Sequence, residues 1–246
     1  MRAIILAAGA SRRLLPFTAE KPKCLIDING GTILDHQLDI LNSFGIKDIV
    51  IVVGYKKESI YNAVESNWPE LQIKFVENPI YDETNTLYSL WLTREYLMEK
   101  FLYINADVLC HPDVIGRLLE SPNSSCLAVD IKKCGEEEVK VILDGETRIK
   151  SIGKELDLSI SSGEFIGIGK HGAEGNRRFI EILNSEVEKG NSSKFFEFAL
   201  DRLIDEFPYQ IVDISELPCI EIDFQKDLEE ARNVILPKIL SMQRGD

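Results

Sequence analysis

The chain opens on a short apolar run, Ala3-Ile4-Ile5-Leu6-Ala7-Ala8, closed by Gly9. Such a run predicts a buried strand. The stretch that follows, as far as Lys23, is polar and basic, and residues 24–28 (CLIDI) then read as a second short strand ended by Asn29-Gly30-Gly31. From position 33 to 44 the apolar residues Ile33, Leu34, Leu38, Ile40, Leu41 and Phe44 recur at helical spacing. Thr32 stands at the cap position and Gly45 at the exit. DIVIVV at 48–53 is continuously apolar, the pattern of a strand that a parallel sheet buries on both faces. A helix over 57–66, a strand over 72–76, a helix over 87–99 started by Thr84 or Asn85, and a strand over 101–107 (FLYINAD) complete this half.

Strands alternating with helices predict a parallel sheet covered on both sides, with ligands bound outside the carboxyl ends of the strands. The Gly9 loop leaves one such end and Asp107 another. From Cys126 the pattern changes. Segments 126–132, 139–143 and 148–152 are short, alternating and separated by turns such as Asp144-Gly145, which predicts antiparallel hairpins. A further strand is expected over 163–168, helices over 175–188 and 193–206, and strands over 209–214 and 217–223. The chain finishes in an amphipathic helix over 226–242, with Leu228, Ala231, Ile235 and Ile239 facing inward. No repeat, low-complexity tract or linker interrupts it. One domain is expected, with residues 1–125 mainly binding one partner, 126–225 the other, and 226–246 a terminal helix.

Composition adjusts this picture little. The 246 residues, 44% hydrophobic, suit one large soluble domain. No apolar run is long enough to span a bilayer, Met1-Arg2 leads straight into the first strand, and a cytoplasmic protein is expected. A formal net charge of −13 argues against general nucleic-acid binding but not against a nucleotide, because one basic loop can hold a triphosphate. The five cysteines, Cys24, Cys110, Cys126, Cys134 and Cys219, have no C-x-x-C spacing and read as free thiols. His36, His111 and His171 form no metal pattern and read as packing or surface residues. The run Glu136-Glu137-Glu138 reads as a solvated edge.

The chemistry concentrates in Leu6 to Lys23, LAAGASRRLLPFTAEKPK, where Arg12, Arg13, Lys21 and Lys23 stand against the single acid Glu20. A glycine turn leaving a buried strand, with backbone amides and cations behind it, suits phosphates. Gly9 permits close approach of an anion, and Pro16 and Pro22 stiffen the loop. Neither G-x-x-x-x-G-K-[ST] nor G-x-G-x-x-G occurs in this stretch. The stretch resembles instead the signature of the sugar-phosphate and related nucleotidyltransferases, L-A-A-G-x-G-x-R-L-x-P-x-T followed by P-K. It is matched by Leu6, Ala7, Ala8, Gly9, Arg13, Leu14, Pro16, Thr18, Pro22 and Lys23, with Ser11 where the second glycine usually sits. Asn85, Tyr88, Ser89 and Leu90 are similar to a segment of the phosphocholine and 2-aminoethylphosphonate cytidylyltransferases.

The resemblance implies an α/β fold, a Rossmann-like mostly parallel sheet flanked by helices with a smaller antiparallel acceptor-binding β region, as in nucleotide-diphospho-sugar transferases. It implies a Mg²⁺-dependent reaction in which a phosphate or phosphonate oxygen of the acceptor attacks the α-phosphorus of CTP and pyrophosphate leaves. Arg13 and Lys23 would act on the phosphates. Leu6, Ala7, Ala8, Gly9, Ser11, Asn78, Asn85 and Ser89 would contact the nucleotide. Tyr88, Lys140, Lys154 and Glu164 would line the acceptor pocket, and Asp107 and Asp223 would hold the metal. Tyr81, Tyr88, Trp91 and Phe165 are candidates for an aromatic cage around choline, and Asp82, Glu83 or Glu164 for a primary amine. A homo-oligomer is compatible with all of this. The alternatives are a sugar-1-phosphate nucleotidyltransferase and, in another class, a nucleotide-sensing domain without catalysis.

Overall fold

The apolar run at the start of the chain becomes an interior strand of a mixed sheet. In the computed structural model, which describes residues 1–244, the strands are β1 (Arg2–Ala7), β2 (Asp48–Val53), β3 (Gln72–Glu77), β4 (Phe101–Asn105), β5 (Val108–Cys110), β6 (Cys126–Asp130), β7 (Lys140–Asp144), β8 (Arg148–Gly153), β9 (Gly163–His171), β10 (Gln210–Asp213) and β11 (Cys219–Glu221). The helices are α1 (Ile33–Ser43), α2 (Lys57–Asn67), α3 (Thr86–Leu92), α4 (Pro112–Glu120), α5 (Asn176–Glu188), α6 (Glu197–Ile204), α7 (Gln225–Glu230) and α8 (Leu236–Arg244). Nine strands form one sheet in the order β3-β2-β1-β4-β9-β6-β10-β8-β7. The first four are parallel, as the continuous apolar runs require. β9 joins β4 antiparallel. Because β7 pairs with both β8 and β9, the strands β9, β6, β10, β8 and β7 close a circuit.

The alternation along β1 decides what each face buries. Ala3, Ile5 and Ala7 point to a core completed by Leu34, Leu38 and Leu41 of α1, Ile60 and Val64 of α2, and Val114 and Leu118 of α4. Ile4 and Leu6 point the other way, to a core with Leu87 and Leu90 of α3, Phe179 and Leu183 of α5, and Leu200 and Leu203 of α6. A third core lies under the terminal helices, where Leu228, Ala231, Ile235 and Ile239 cover Leu14, Ile26, Ile28, Leu109 and Ile222. Its inward face is the one the sequence pattern gives, with one π turn, Ala231–Ile235, between α7 and α8. The last two positions of the expected terminal segment lie outside the described residues. Among the described residues no helix is long and apolar enough to cross a membrane.

Several expected elements change. Residues 24–28 do not form a sheet strand: Lys23–Leu25 is a 3₁₀ turn, and the chain folds back on itself through the Asp27–Thr32 bridge. Asn29 at φ 71° reverses the direction, and Ile28 N–H donates to Gly31 at 2.9 Å. The expected helix over 87–99 stops at Leu92, where Thr93 Oγ1 donates to the Leu90 carbonyl at 2.7 Å and competes with the helical ladder. The helix expected from 193 begins at Glu197, after a 3₁₀ turn over Asn191–Ser193. The strand expected over 101–107 splits into β4 and β5 around a turn holding Ala106 and Asp107. The α4 helix was not expected. Pro112 occupies its first turn, where a missing N–H costs nothing, and His111 Nδ1 accepts from Asp113 N–H at 3.2 Å. The Thr32 cap is as expected, and Asp35 completes it: Thr32 Oγ1 accepts from Asp35 N–H at 3.0 Å and Asp35 Oδ2 accepts from Thr32 N–H at 3.1 Å. Such a cap contributes about 1 kcal/mol.

β9 has to pass close beside the end of β4. Gly167 adopts φ 75°, and a Cβ there would lie 2.4 Å from the Asn105 amide nitrogen. Gly167→Ala is expected to lower unfolding free energy by about 2–4 kcal/mol, from left-handed backbone strain plus overpacking. Equilibrium denaturation checks this, and an unchanged midpoint would contradict it.

Candidate active site

Register brings the site together. β1 and β4 are paired so that Leu6 lies opposite Asn105, and the loops that leave them emerge side by side. β5 and β11 pair antiparallel, with Ile222 N–H donating to the Asp107 carbonyl at 3.1 Å, which carries Asp223 to the same place. The result is a cavity of about 440 Å³ over the carboxyl ends of the central strands. Its walls include Leu6, Ala7, Gly9, Ser11, Arg13 and Lys23 from the first loop, Asn105 and Asp107 after β4, and Glu221 and Asp223 from β11 and the residues after it. Asn85 and Thr86 at the start of α3, Lys154, and Phe195 with Glu197 close the far side.

At its centre the Lys23 ammonium donates to Asp107 Oδ2 and to Asp223 Oδ1, each at 2.7 Å. The lysine side chain is only 12% exposed. Burial alone would lower its pKa, but the two carboxylates outweigh burial and raise it well above the ordinary lysine value. Burial would raise the pKa of Asp223, yet Lys23, by charge and by hydrogen bond, holds it below the usual carboxylate range. The Asp223 position is itself fixed by Asp227, whose Oδ2 accepts from the Asp223 and Phe224 amides at 3.0 and 2.7 Å. Asp107 Oδ1 is buried without a hydrogen-bond partner. Among the described residues no group of three or more His, Cys, Asp or Glu is arranged to cage a metal. Mg²⁺, however, commonly takes one or two carboxylates and completes its shell with substrate phosphates and water. Two converging aspartates with one unclaimed oxygen fit that requirement.

The basic loop is held by its own hydrogen bonds. Thr18 Oγ1, buried, donates to the Ser11 carbonyl at 3.1 Å, and Tyr55 Oη donates to the carbonyls of Thr18 and Ala19 at 2.9 and 3.0 Å. Ser11 adopts φ 46° and ψ 53°, a left-handed conformation that a glycine would adopt without strain. This is the physical meaning of the departure from the glycine pattern. A Cβ at Gly9 would meet no protein atom within 4 Å, so that edge of the loop is open toward the cavity. Arg13 is half exposed, 3.6 Å from Glu137 and with its guanidinium 5.3 Å from the Phe224 ring centre.

Of the residues named from the sequence, Leu6, Ala7, Gly9, Ser11, Arg13, Lys23, Asn85, Asp107, Lys154 and Asp223 line the cavity. Others stand behind or away from it. The Ala8 carbonyl accepts from Tyr55 N–H at 3.0 Å. Asn78 Nδ2 donates to Thr84 and Ser89 hydroxyls at 3.0 and 3.1 Å, so Asn78 and Ser89 shape the loop before α3 rather than face the cavity. Tyr88 stacks on Trp91 at 5.2 Å between ring centres. Lys140 is buried and spends its ammonium on the backbone carbonyls of Glu136, Glu138 and Lys154. Glu164 is paired with Lys132 at 2.6 Å in a neighbouring acidic depression. Phe165 is buried in the core, and Tyr81 packs against Tyr55, so the four aromatic candidates do not gather around one point. Asp82 and Glu83 are exposed and do not line the cavity.

Two acids that line the cavity were not singled out from sequence. Glu197 is buried, its Oε2 lacks a partner, and burial pushes its carboxyl up to about 7, with Lys154 pulling down and Asp107 pushing up. Nothing in a helix-forming stretch distinguishes a buried glutamate from a solvated one. Glu197 is brought in by a staple between two segments: Asn85 N–H donates to the Ser192 carbonyl at 3.0 Å, Leu87 N–H to Lys194 at 3.2 Å, and Phe196 N–H to Thr86 Oγ1 at 2.9 Å. Glu221 is held well above its ordinary range by burial and by Asp107, Glu164 and Asp223. Its signal was present, an acid two residues before Asp223 on an alternating strand, and so on the same face.

The Glu197 environment sets a pH dependence. Between the unfolded carboxyl value near 4.5 and the folded value near 7, the folded state holds a proton that the unfolded state has lost. Stability contributed by this group therefore falls as pH rises across that window. Glu197→Gln is expected to gain about 2–3 kcal/mol relative to wild type between pH 4.5 and 8. Denaturation at several pH values checks this, and parallel profiles for the two proteins would contradict it.

The chain is similar to known proteins over most of its length. The chain is 26% identical over 252 aligned residues to the CTP:phosphoglutamine cytidylyltransferase of Campylobacter jejuni, covering 93% of this chain and 98% of that one. It is 27% identical over 229 residues to the 2-aminoethylphosphonate cytidylyltransferase of Lancefieldella rimae, covering 92% and 89%. The solved structure of the CTP:phosphocholine cytidylyltransferase of Streptococcus pneumoniae shares the fold, with a TM-score of 0.79, 23% identity and coverage of 95% of this chain and 98% of the other. The family model of the MobA-like NTP transferase domain matches residues 3–149, the segment that supplies the basic loop, Asn85 and Asp107. The chain therefore belongs to the MobA-like NTP transferase family, and it is a nucleotidyltransferase.

Proposed function

We propose that the protein transfers CMP from CTP to a small phosphorylated or phosphonate acceptor that carries a cationic group, with release of pyrophosphate. The observation that carries this reading is the meeting of Lys23, Asp107 and Asp223, far apart in the chain, at one point on the floor of the cavity. An oxygen of the acceptor's phosphate or phosphonate forms a bond to the α-phosphorus of CTP. The bond from that phosphorus to the bridging oxygen breaks, and pyrophosphate leaves with the electron pair. The attacking oxygen is already anionic, so the residues have to align and neutralise rather than remove a proton. The Arg13 fork suits the β- and γ-phosphates, and Lys23 suits the α-phosphate together with the attacking group. Mg²⁺ held by Asp107 and Asp223 would add positive charge beside the α-phosphate.

The far wall supports an acceptor with an ammonium group. Glu197 and Glu221 line the cavity, among the described residues neither has a cation within ion-pair distance, and the Lys154 ammonium lies 4.6 Å from the Phe195 ring centre. A bound cation would draw the Glu197 carboxyl to its charged form and relieve the cost of burying it. The choice of CTP rests on the names of the two relatives given above, both cytidylyltransferases, while other similar chains are named as a UTP--glucose-1-phosphate uridylyltransferase and as bifunctional GlmU proteins. On this reading residues 1–125 serve mainly the nucleotide and 126–225 mainly the acceptor, and the reaction belongs to the cytoplasm.

The test is pyrophosphate release with Mg²⁺, CTP or UTP, and a panel of phosphocholine, 2-aminoethylphosphonate, phosphoglutamine and glucose 1-phosphate. Turnover is expected with CTP and one ammonium-bearing acceptor. Turnover confined to UTP and the sugar phosphate would overturn the reading. With the active pair, Lys23→Ala is expected to lower kcat by about 10²–10³-fold, by analogy with loss of one oxyanion donor, whereas unchanged turnover would remove Lys23 from the mechanism.

A further inference from the structure

Lys23 has two uses that exclude each other. In the free protein its ammonium sits between Asp107 and Asp223, 2.7 Å from an oxygen of each, with Asp107 Oδ1 beside it buried and unclaimed. In the proposed reaction the same ammonium lies on the α-phosphate. The two aspartates meanwhile are the residues that fit a divalent cation. An ammonium and a dication cannot share these oxygens: a metal entering alone would bring two positive charges against a third that has no other carboxylate at hydrogen-bond distance. Arg12, Arg13 and Lys154 line the same cavity, and neither of its other acids, Glu197 and Glu221, lies within ion-pair distance of the Lys23 ammonium, so where it sits the cavity offers that ammonium no ready compensation for the two aspartates. A triphosphate does.

We propose that Lys23 is a stand-in cation, occupying the metal position of the free protein and yielding it only when nucleotide phosphates give its ammonium another anion. The inference rests on the metal reading of Asp107 and Asp223 given above. It makes metal and nucleotide binding mutually reinforcing: the free protein takes up divalent metal poorly, and each ligand tightens the other by the same factor. Lys23 thereby keeps the two aspartates compensated while the site waits. The backbone is arranged for this. Lys23 follows Pro22 on a 3₁₀ turn whose Lys23 carbonyl accepts from Ile26 N–H at 2.9 Å, which fixes the backbone from which its side chain projects.

Mn²⁺ binding followed by electron paramagnetic resonance tests this without turnover. Wild type, Lys23→Met and Lys23→Gln are titrated with Mn²⁺ alone and with Mn²⁺ plus CTP, no acceptor being present. Thermal melts establish that the variants are folded, and the glutamine variant keeps a hydrogen-bond donor between the aspartates. Without CTP, both variants are expected to bind Mn²⁺ at least tenfold more tightly than wild type, and Asp107→Asn in the Lys23→Met background is expected to abolish the gain. Addition of CTP is expected to tighten wild type by about tenfold or more and the variants by much less. If both variants bind Mn²⁺ alone no better than wild type, while Asp107→Asn still weakens Mn²⁺ in the CTP complex, the stand-in role is overturned and the metal reading survives. If Asp107→Asn leaves Mn²⁺ binding to the CTP complex unchanged, the metal reading falls and the inference falls with it.

Discussion

Two carboxylates that approach one another at the edge of an apolar core need a positive charge between them. In this protein that requirement is met by one lysine, and the surroundings are arranged to serve it. Asp107 sits in the turn where β4 ends, Asp223 just beyond β11, and the β5–β11 ladder holds the two together. Lys23 reaches them from the basic loop, which is tied down by Thr18 and Tyr55. The terminal helices α7 and α8 cover the third core beneath this ladder, and Asp227 of α7 fixes the amide of Asp223. A helix at the far end of the sequence is therefore part of the architecture of the opening loop.

The site gathers both signs of charge around one cavity. Arg12 and Arg13 of the first loop, the aspartate pair with Lys23 between its carboxylates, and the acids Glu197 and Glu221 all line it. The formal charge of −13 says nothing of this arrangement, since a local basic loop works within an acidic surface. The strain at Ser11 and the crowding at Gly167 both fall beside the same cavity, where backbone segments converge on a small volume.

The parallel half and the basic loop were legible because their signals are local. DIVIVV has to be buried on both faces, the Thr32 cap precedes its helix, and the string from Leu6 to Lys23 carries glycine, proline and cations in one ordered run. Gly9 and Asp107, which line the cavity, lie just past the ends of β1 and β4, where the rule for parallel sheets applies. Misplaced elements have equally physical causes. Residues 24–28 are apolar enough for a strand, but a hairpin reversal at Asn29 buries the same side chains without sheet pairing. Lys140 has the composition of a surface lysine, and only three converging carbonyls explain its burial.

By itself the sequence determined the alternation of strands and helices in the parallel half, the faces most of them bury and the loop that gathers positive charge, because periodicity and turn chemistry act over a few residues. The tertiary structure decided the rest. It decided that β9 enters the sheet antiparallel beside β4, that β11 carries Asp223 to Asp107, and that a staple of three hydrogen bonds seats Glu197 against the cavity. Those outcomes depend on which distant segments satisfy one another's backbone groups and charges, and contacts spanning such distances leave no periodic trace along the chain.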